Sequence, residues 1–249
     1  MKVALCLSGQ MRTFRTCGPL VVQHIVKPLN ADVFIHTWSD SGDTLKSDHW
    51  LKGQPHENQT ITHAALREVY DYKLAEIESF SPSMSEELDG QRIAEAIKEL
   101  YPDAYKAMLP LNYKIWKCDM LRREWEALNG FEYDWVIRLR PDFAIYEPLP
   151  FYFSELNQEC LYWCLWPTLN PATQVSDKLA FGCNKTMSYY AAGFTRINAY
   201  MQDPVGDGAF ASIRFGERFT CHHMNQCPFY RIPFSMRGEI VRFGEESSC

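Results

Sequence analysis

The sequence predicts an α/β protein with a central, mostly parallel sheet flanked by helices. A strand, a helix and a second strand fit into residues 1–38, which is the order of a parallel βαβ unit with a right-handed crossover. Short apolar runs then continue to alternate with stretches of helical periodicity. No linker, repeat or charge block divides residues 1–249, so the chain is predicted to form a single domain.

The N-terminal region carries the βαβ pattern. The first predicted strand, Lys2–Leu7, is almost entirely apolar, as expected of a strand that is buried on both faces. Apolar residues then recur at helical spacing until Pro28, which stops the helix. The second strand is Asp32–Trp38. Thr62 is placed to cap a short helix, and residues 73–80 alternate weakly as a third strand.

The clearest helix is predicted for residues 113–128. Its apolar residues form one stripe, and Lys114 and the other charged residues lie largely off that stripe, so the stripe is predicted to be core. Asn129 and Gly130 supply a left-handed C-terminal stop. A weaker helix around residues 93–100 is closed by Pro102.

The remaining elements follow in the second half. Asn184 is placed to cap a helix whose apolar face continues to Met201. A shorter helix covers residues 217–224. The predicted strands are 133–139, 160–166, 177–181 and 240–243.

Composition and charge exclude several classes of protein. Lys and Arg number 25 and Asp and Glu number 31, for a formal charge of −6. This balance argues against a nucleic-acid binder, which needs a dense basic face, and against attachment to anionic lipid by charge alone. The aromatic content of 14% excludes a disordered chain. Some aromatic rings are expected to line a cleft, although a thick aromatic core explains the same composition.

Two further patterns bear on location. The N-terminal apolar run is too short for a signal peptide, and the longest uncharged stretch, residues 160–176, contains prolines and amides that exclude a transmembrane segment. The nine cysteines include no CxxC pair. We therefore expect a cytoplasmic protein with free thiols. Cys221, His222, His223 and Cys227 are possible metal ligands, but no second cluster completes a tetrahedral site, so a packing role is the stronger expectation.

Ligands of open α/β sheets bind beyond the carboxyl ends of the parallel strands. After the first strand stand Ser8, Gly9, Gln10, Arg12 and Arg15. Gly9 permits close approach of a backbone, and guanidinium groups near a helix start can cradle phosphate oxygens. These residues are therefore candidates for binding a phosphorylated ligand.

The strand at residues 133–139 ends in a second charged group. Arg138 and Arg140 stand at alternate positions, which places them on one side of the sheet. Burying this pair is costly unless acidic or phosphate partners meet it. Asp142 is placed to hold a hard divalent cation. An Arg–Asp network that braces a loop explains the same residues, and the spacing alone does not decide between the two.

Four segments appear together in one order: KVALCLSGQMRTF (2–14), DVFIHTW (32–38), YDWVIRLRPDF (133–143) and SDKLAFGCNKTM (176–187). The set resembles a family of small GT-A-type glycosyltransferases of polysaccharide, lipopolysaccharide and viral-glycan assembly. The resemblance covers roughly residues 2–245. It implies a single GT-A-like, Rossmann-related domain that binds the donor in about residues 1–145 and the acceptor in about 146–249. If the protein is viral, the cytoplasm in question is that of a host.

The resemblance implies a reaction and a cofactor. The reaction is transfer of a sugar from a UDP- or GDP-sugar to a hydroxyl of a glycan acceptor. GT-A enzymes usually hold Mn²⁺ or Mg²⁺ with a DxD element, and Arg140-Pro141-Asp142 fills that place here with only the final acid. Donor phosphates, water and His222 or His223 would complete the metal shell.

The transfer also needs a base for the acceptor hydroxyl. Asp177 and Glu217 are the candidates, although Asp177 could bind ligand hydroxyls instead and Glu217 could simply cap a helix. Trp38 is expected to stack on a sugar or base, as are Tyr162, Trp163 and Trp166. The incomplete DxD element leaves a second function open, which is a non-catalytic sugar- or nucleotide-binding module. A sulfotransferase is a third alternative, against which the missing Gly-rich phosphate loop counts.

Overall fold

Strands and helices alternate along the chain. The computed structural model describes residues 1–41, 59–79, 102–166, 169–202 and 216–241, and every element named below lies within them. The strands are β1 (Val3–Ser8), β2 (Asp32–Trp38), β3 (Tyr72–Glu78), β4 (Trp135–Leu139), β5 (Phe143–Ile145), β6 (Cys160–Cys164), β7 (Leu179–Cys183), β8 (Tyr230–Phe234) and β9 (Gly238–Ile240). The helices are α1 (Phe14–Val21), α2 (Lys27–Leu29), α3 (His63–Arg67), α4 (Pro102–Asn129), α5 (Asn184–Ala191), α6 (Gly193–Gln202) and α7 (Gly216–Asn225). A π-helical turn, Val22–Val26, joins α1 to α2, and a short 3-10 turn covers Phe153–Glu155.

The central sheet has seven strands in the order β3-β2-β1-β4-β7-β6-β8. The first four are parallel to one another, β7 runs antiparallel to both β4 and β6, and β8 is parallel to β6. Strands β5 and β9 form a separate antiparallel pair. The predicted fold class, α/β with a mostly parallel sheet flanked by helices, is confirmed.

Side-chain alternation along the parallel strands divides the core into two layers. Odd-numbered residues such as Leu5 and Ile35 pack toward α1 and α3, and even-numbered residues such as Cys6 and Phe34 pack toward α4. Helices α5 and α7 extend the second layer. Because the parallel strands are covered on both faces, ligand-binding groups are left to the strand ends.

The strand predictions hold best where the strands are buried. The range predicted for β2 is the range observed, and the predictions for β1, β3, β4 and β6 overlap the observed strands closely. Strand β7 begins two residues later than predicted because Asp177 and Lys178 belong to the preceding loop. The predicted strand 240–243 is displaced, since β9 covers Gly238–Ile240 and residues 242–243 lie outside the described chain.

The helix predictions need more correction. Helix α4 begins at Pro102, well before residue 113, because proline suits the first position of a helix, where its missing N–H costs nothing. Thr62 does cap α3, since its hydroxyl accepts from the Ala65 amide at 3.1 Å. The cap of α5 is Cys183 rather than Asn184, and the predicted continuous helix is divided into α5 and α6. The helix predicted around residues 93–100 lies outside the described residues.

The charged side chains of α4 are not all in solvent. Lys114 and Arg122, predicted to lie off the buried stripe, have relative exposures of 3% and 0%. Arg122 is covered by α5, where it donates to the Ser188 hydroxyl at 2.8 Å, and Lys114 lies over the Trp38 ring near the ends of the parallel strands. Arg122 is also paired with Asp119 and Glu126.

Across the described ranges, no helix is both long enough and apolar enough to cross a membrane. The described cysteines are free thiols.

Candidate active site

The loop after β1 meets the end of β4 through a carboxylate held by two arginines. Arg140 donates from Nε to Asp142 Oδ1 at 2.9 Å and from Nη2 to Oδ2 at 3.0 Å. Arg12 donates from Nη1 to the same Oδ2 at 3.2 Å. Asp142 is 2% exposed, so these charge-assisted bonds lie in a largely water-free setting.

Gly9 lets these two loops approach each other. Its φ is +147°, and a Cβ built on it would lie 3.0 Å from the Pro141 Cδ atom. Side chains larger than hydrogen are strained in that backbone conformation and crowded by the proline ring. The close approach predicted for Gly9 is therefore made to Pro141 of this chain.

Arg140 also joins the end of β4 to the loop that precedes β7. Its Nη1 atom donates to Asp177 Oδ2 at 2.9 Å, and its backbone N–H donates to the Lys178 carbonyl at 2.9 Å. The two acids raise the pKa of Arg140 although burial alone would lower it. An Arg–Asp network, one of the two interpretations that the sequence left open, is thus present.

Arg138 lies deeper, on the face of the sheet that α4 covers. It donates to the Ser8 hydroxyl at 3.1 Å and to the Ser8 carbonyl at 3.2 Å. Its Nη1 atom is buried without a hydrogen-bond partner, as are Asp177 Oδ1 and the Tyr190 hydroxyl. Burial lowers the pKa of Arg138. Buried polar atoms of this kind are expected to bind water or a ligand.

The pKa values of the two predicted catalytic carboxylates are shifted in opposite directions. Burial alone would raise the pKa of Asp177, but the charges of Arg140, Arg138 and Lys178 outweigh it and lower that pKa. Burial and the negative charge of Asp177 raise the pKa of Glu217. The backbone carbonyl of Glu217 accepts from the Val175 amide at 3.0 Å, which ties the start of α7 to the loop before β7.

Two lysines that the sequence analysis missed complete the charged group. The Lys114 ammonium lies 4.2 Å from the centroid of the Trp38 ring, and that of Lys178 lies 4.5 Å from the centroid of the Trp166 ring. Burial, together with Arg12 and Arg140, lowers the pKa of Lys114 well below its ordinary value. Lys178 stands inside one of the four motif segments, whereas nothing in the spacing of α4 distinguishes Lys114.

We refer to these side chains together as the arginine–carboxylate cluster. Its members come from strand β4, the loops after β1, β2 and β4, the loop before β7, and helices α4 and α7. Among the described residues it sets five cations against four carboxylates: Arg12, Lys114, Arg138, Arg140 and Lys178 against Asp40, Asp142, Asp177 and Glu217. Counted by formal charge, with every member ionised, the cluster thus carries one net positive charge in a chain with a formal charge of −6.

Several predicted site residues lie elsewhere or are already covered. Arg15 pairs with Glu68 on the surface. Trp38 is 2% exposed. Its ring stacks on Tyr113 with 6.1 Å between centroids and also contacts the Lys114 ammonium, so side chains of this chain already cover the ring that was predicted to stack on a sugar or base. Gln10 is half-buried beside Gly9. Tyr162 and Trp163, predicted to face the cleft, belong to the core instead.

The histidines of α7 pack among tyrosines. His223 donates from Nε2 to the Tyr189 carbonyl at 2.6 Å, and its Nδ1 atom therefore accepts from the Tyr200 hydroxyl at 2.7 Å. His222 contacts the Tyr200 ring edge to face at 4.9 Å. Within the described chain, the group of three possible metal ligands that comes together consists of His36, Glu76 and Glu78, not Asp142 and His222.

Comparison with known proteins adds no family assignment. No protein-family model matches the chain, and a search of curated proteins returned no match.

Proposed function

We propose that the protein is a glycosyltransferase that moves a sugar from a UDP- or GDP-sugar to a hydroxyl group of a glycan acceptor. The observation that carries the proposal is the arginine–carboxylate cluster at the carboxyl ends of β1 and β4, where open α/β sheets bind their ligands. Its principal residues fall within the segments that resemble GT-A-type glycosyltransferases. Donor binding is assigned to the first half of the chain and acceptor binding to the second.

The cationic side chains suit a diphosphate leaving group. Negative charge collects on the diphosphate as the sugar–phosphate bond breaks, and preorganised cations in a water-poor site stabilise it strongly. Arg138 is the best placed, because its Nη1 atom is buried without a hydrogen-bond partner. Arg12 and Arg140 already neutralise Asp142 and supply the remaining positive charge around it.

The residues around Asp142 do not fit a metal ion as they stand. Both carboxylate oxygens accept hydrogen bonds from guanidinium groups, so a cation would have to displace Arg140 or Arg12. His222 lies in contact with Tyr200. We derive no catalytic step through Mn²⁺ or Mg²⁺, and the metal assigned to Asp142 and His222 stays a prediction.

Glu217 is the better candidate for the base. A base must accept the proton of the acceptor hydroxyl, and its efficiency rises as its pKa approaches the working pH. The pKa of Glu217 is raised, whereas that of Asp177 is lowered by its arginine neighbours. Asp177 then serves to orient Arg140 and to balance the charge of Arg138.

Titration calorimetry against UDP- and GDP-sugars, with and without Mn²⁺, tests the proposal directly. We expect one nucleotide sugar to bind, and we expect release of its nucleotide diphosphate when glycan acceptors are supplied. Absence of binding to every nucleotide sugar, in either condition, would refute the proposal.

The second candidate is a non-catalytic sugar- or nucleotide-binding module on the same fold. The observation that favours it is that arginines already neutralise Asp142 and one oxygen of Asp177. Such a module binds the nucleotide sugar but releases no nucleotide diphosphate with any acceptor, so the acceptor screen separates the two candidates.

A further inference from the structure

A buried histidine faces two glutamate carboxylates at the β3 edge of the sheet. His36 of β2 is the register partner of Glu76 of β3, and Glu78 lies two residues farther along β3 on the same face. The His36 Nε2 atom lies 3.6 Å from Glu76 Oε2 and 3.6 Å from Glu78 Oε2. None of these residues takes part in the arginine–carboxylate cluster.

The imidazole of His36 is an unsatisfied group in the core. Its side chain is 0% exposed, and neither ring nitrogen has a hydrogen-bond partner. A separation of 3.6 Å is too long for a hydrogen bond. The Trp38 and Tyr113 rings contact the imidazole edge to face, at 6.3 and 5.8 Å between centroids, and hold it in place. A buried polar group without a partner is costly, so a ligand at Nε2 would relieve a real penalty.

The spacing of the three groups matches a metal shell. Tetrahedral ligands with bonds of about 2.0–2.2 Å lie about 3.3–3.6 Å apart. The two distances from Nε2 fall at this value, and one ligand atom from each residue lies within 4.8 Å of the others. The arrangement needs only a small contraction to hold an ion.

The opposite carboxylate oxygens are already supported. Lys117 Nζ lies 3.5 Å from Glu76 Oε1 and 3.6 Å from Glu78 Oε1, and the Tyr113 hydroxyl donates to Glu78 Oε1 at 3.1 Å. Ligating carboxylates in metalloproteins are commonly held by such outer partners.

A groove gives access from solvent to Glu76, one of these two carboxylates. It has a volume of about 530 Å³. Its walls are formed by Glu76, Lys117, Met120, Leu121, Arg123 and Glu124. An ion can therefore approach Glu76, the proposed ligand that lines the groove, from solvent.

We propose that His36, Glu76 and Glu78 bind one divalent transition-metal ion of the zinc class, through His36 Nε2 and one oxygen of each carboxylate. The imidazole nitrogen favours Zn²⁺ over Mg²⁺ and Ca²⁺, which prefer oxygen ligands. Three protein ligands leave a fourth position for water, the arrangement of an open zinc site. This site is independent of the proposed glycosyl transfer.

Zinc binding to the full chain tests the site. Titration calorimetry with ZnCl₂ should give one site per chain, with much weaker binding of MgCl₂. Glu76→Gln and Glu78→Gln, which preserve side-chain shape, should each weaken Zn²⁺ binding at least about tenfold. Glu132→Gln, at an exposed position away from the site, should leave it unchanged.

Two further readouts guard against misfolded variants and unrelated zinc sites. Circular dichroism must show that both variants fold, and Co²⁺ in place of Zn²⁺ should give the intense visible absorption of a tetrahedral site in the wild type only. Absence of Zn²⁺ binding to the wild type would overturn the proposal. Equal Zn²⁺ affinity in the wild type and both folded variants would overturn it as well.

Discussion

Arg140 and Asp177 form an ion pair that joins the two halves of the chain, with Nη1 and Oδ2 separated by 2.9 Å. Arg140 follows β4, and Asp177 precedes β7, the strand that reverses the direction of the sheet. The same guanidinium holds Asp142 with two bonds. One side chain thus fixes two buried carboxylates at the centre of the proposed site.

Replacing Arg140 by methionine should destabilise the protein strongly. The variant leaves Asp177 buried without its principal partner, and breaking a buried ion pair from one side costs about 3–5 kcal/mol. Urea unfolding measures the change in the free energy of unfolding. Arg15→Met is the matched control, because Arg15 and Glu68 are about half exposed, and this change should cost less than about 1 kcal/mol. Similar losses in both variants would contradict the assigned role of Arg140.

Replacing Glu217 by glutamine should remove the base but spare donor binding. We expect the transfer rate to fall about 10²–10⁴-fold, the usual contribution of general base catalysis, while the affinity for the nucleotide sugar is kept. In the wild type the rate should rise with pH through a midpoint above the ordinary carboxyl pKa of 4.5, because burial and Asp177 raise the pKa of Glu217. An unchanged pH profile in Glu217→Gln would exclude Glu217 as the base.

Asp177→Asn is the companion variant. It should lower the free energy of unfolding, because it weakens the ion pair with Arg140, yet it should keep the rising limb of the pH profile. Loss of that limb in Asp177→Asn, with retention in Glu217→Gln, would reverse the two roles.

Replacing Arg138 by methionine should separate binding from stability. The buried guanidinium donates hydrogen bonds to Ser8 and acts on Asp177 by charge without direct contact, so removing it should lower the free energy of unfolding less than Arg140→Met does. Affinity for UDP and GDP should fall about 10–100-fold, which corresponds to one lost charged hydrogen bond. Calorimetry measures the affinity, with exposed Arg123→Met as the control. A destabilised variant with full nucleotide affinity would show that Arg138 is structural.

Sequence patterns predicted the buried parallel strands well and the polar contacts poorly. β2 was predictable because it is covered on both faces and carries the apolar run Val33–Ile35. β8 was missed because it carries Pro233 and is largely exposed, so it has no clear apolar period. β5 is three residues long and pairs with β9, which lies far along the chain. Neither property leaves a local signal.

Only the part of the site that lies at the ends of strands was predictable from the sequence. Position after β1 and β4 correctly brought Ser8, Arg12, Arg138, Arg140 and Asp142 into one region. The position of Arg15 after β1 did not show that its side chain pairs with Glu68, because consecutive residues of a helix face different directions. Nor could position show that Lys114 is buried, because that depends on Trp38 and Arg12, which come from other parts of the chain.

His223 should make the stability of the protein depend on pH. In the neutral ring its Nε2 atom donates to the Tyr189 carbonyl and its Nδ1 atom accepts from the Tyr200 hydroxyl. Burial, aided by the charges of Arg196 and His222, lowers its pKa from 6.5 to about 4. Between these two values the unfolded chain binds a proton that the folded chain does not. The contribution of His223 to the free energy of unfolding is therefore fully present above pH 6.5 and is lost as the pH falls toward 4. The loss attributable to His223 should approach roughly 3 kcal/mol at the low end. Urea unfolding between pH 7 and pH 4 measures this loss. In His223→Gln, which cannot titrate at this position, the free energy of unfolding should fall less steeply with decreasing pH. Equal pH dependence in both proteins would show that other groups control it.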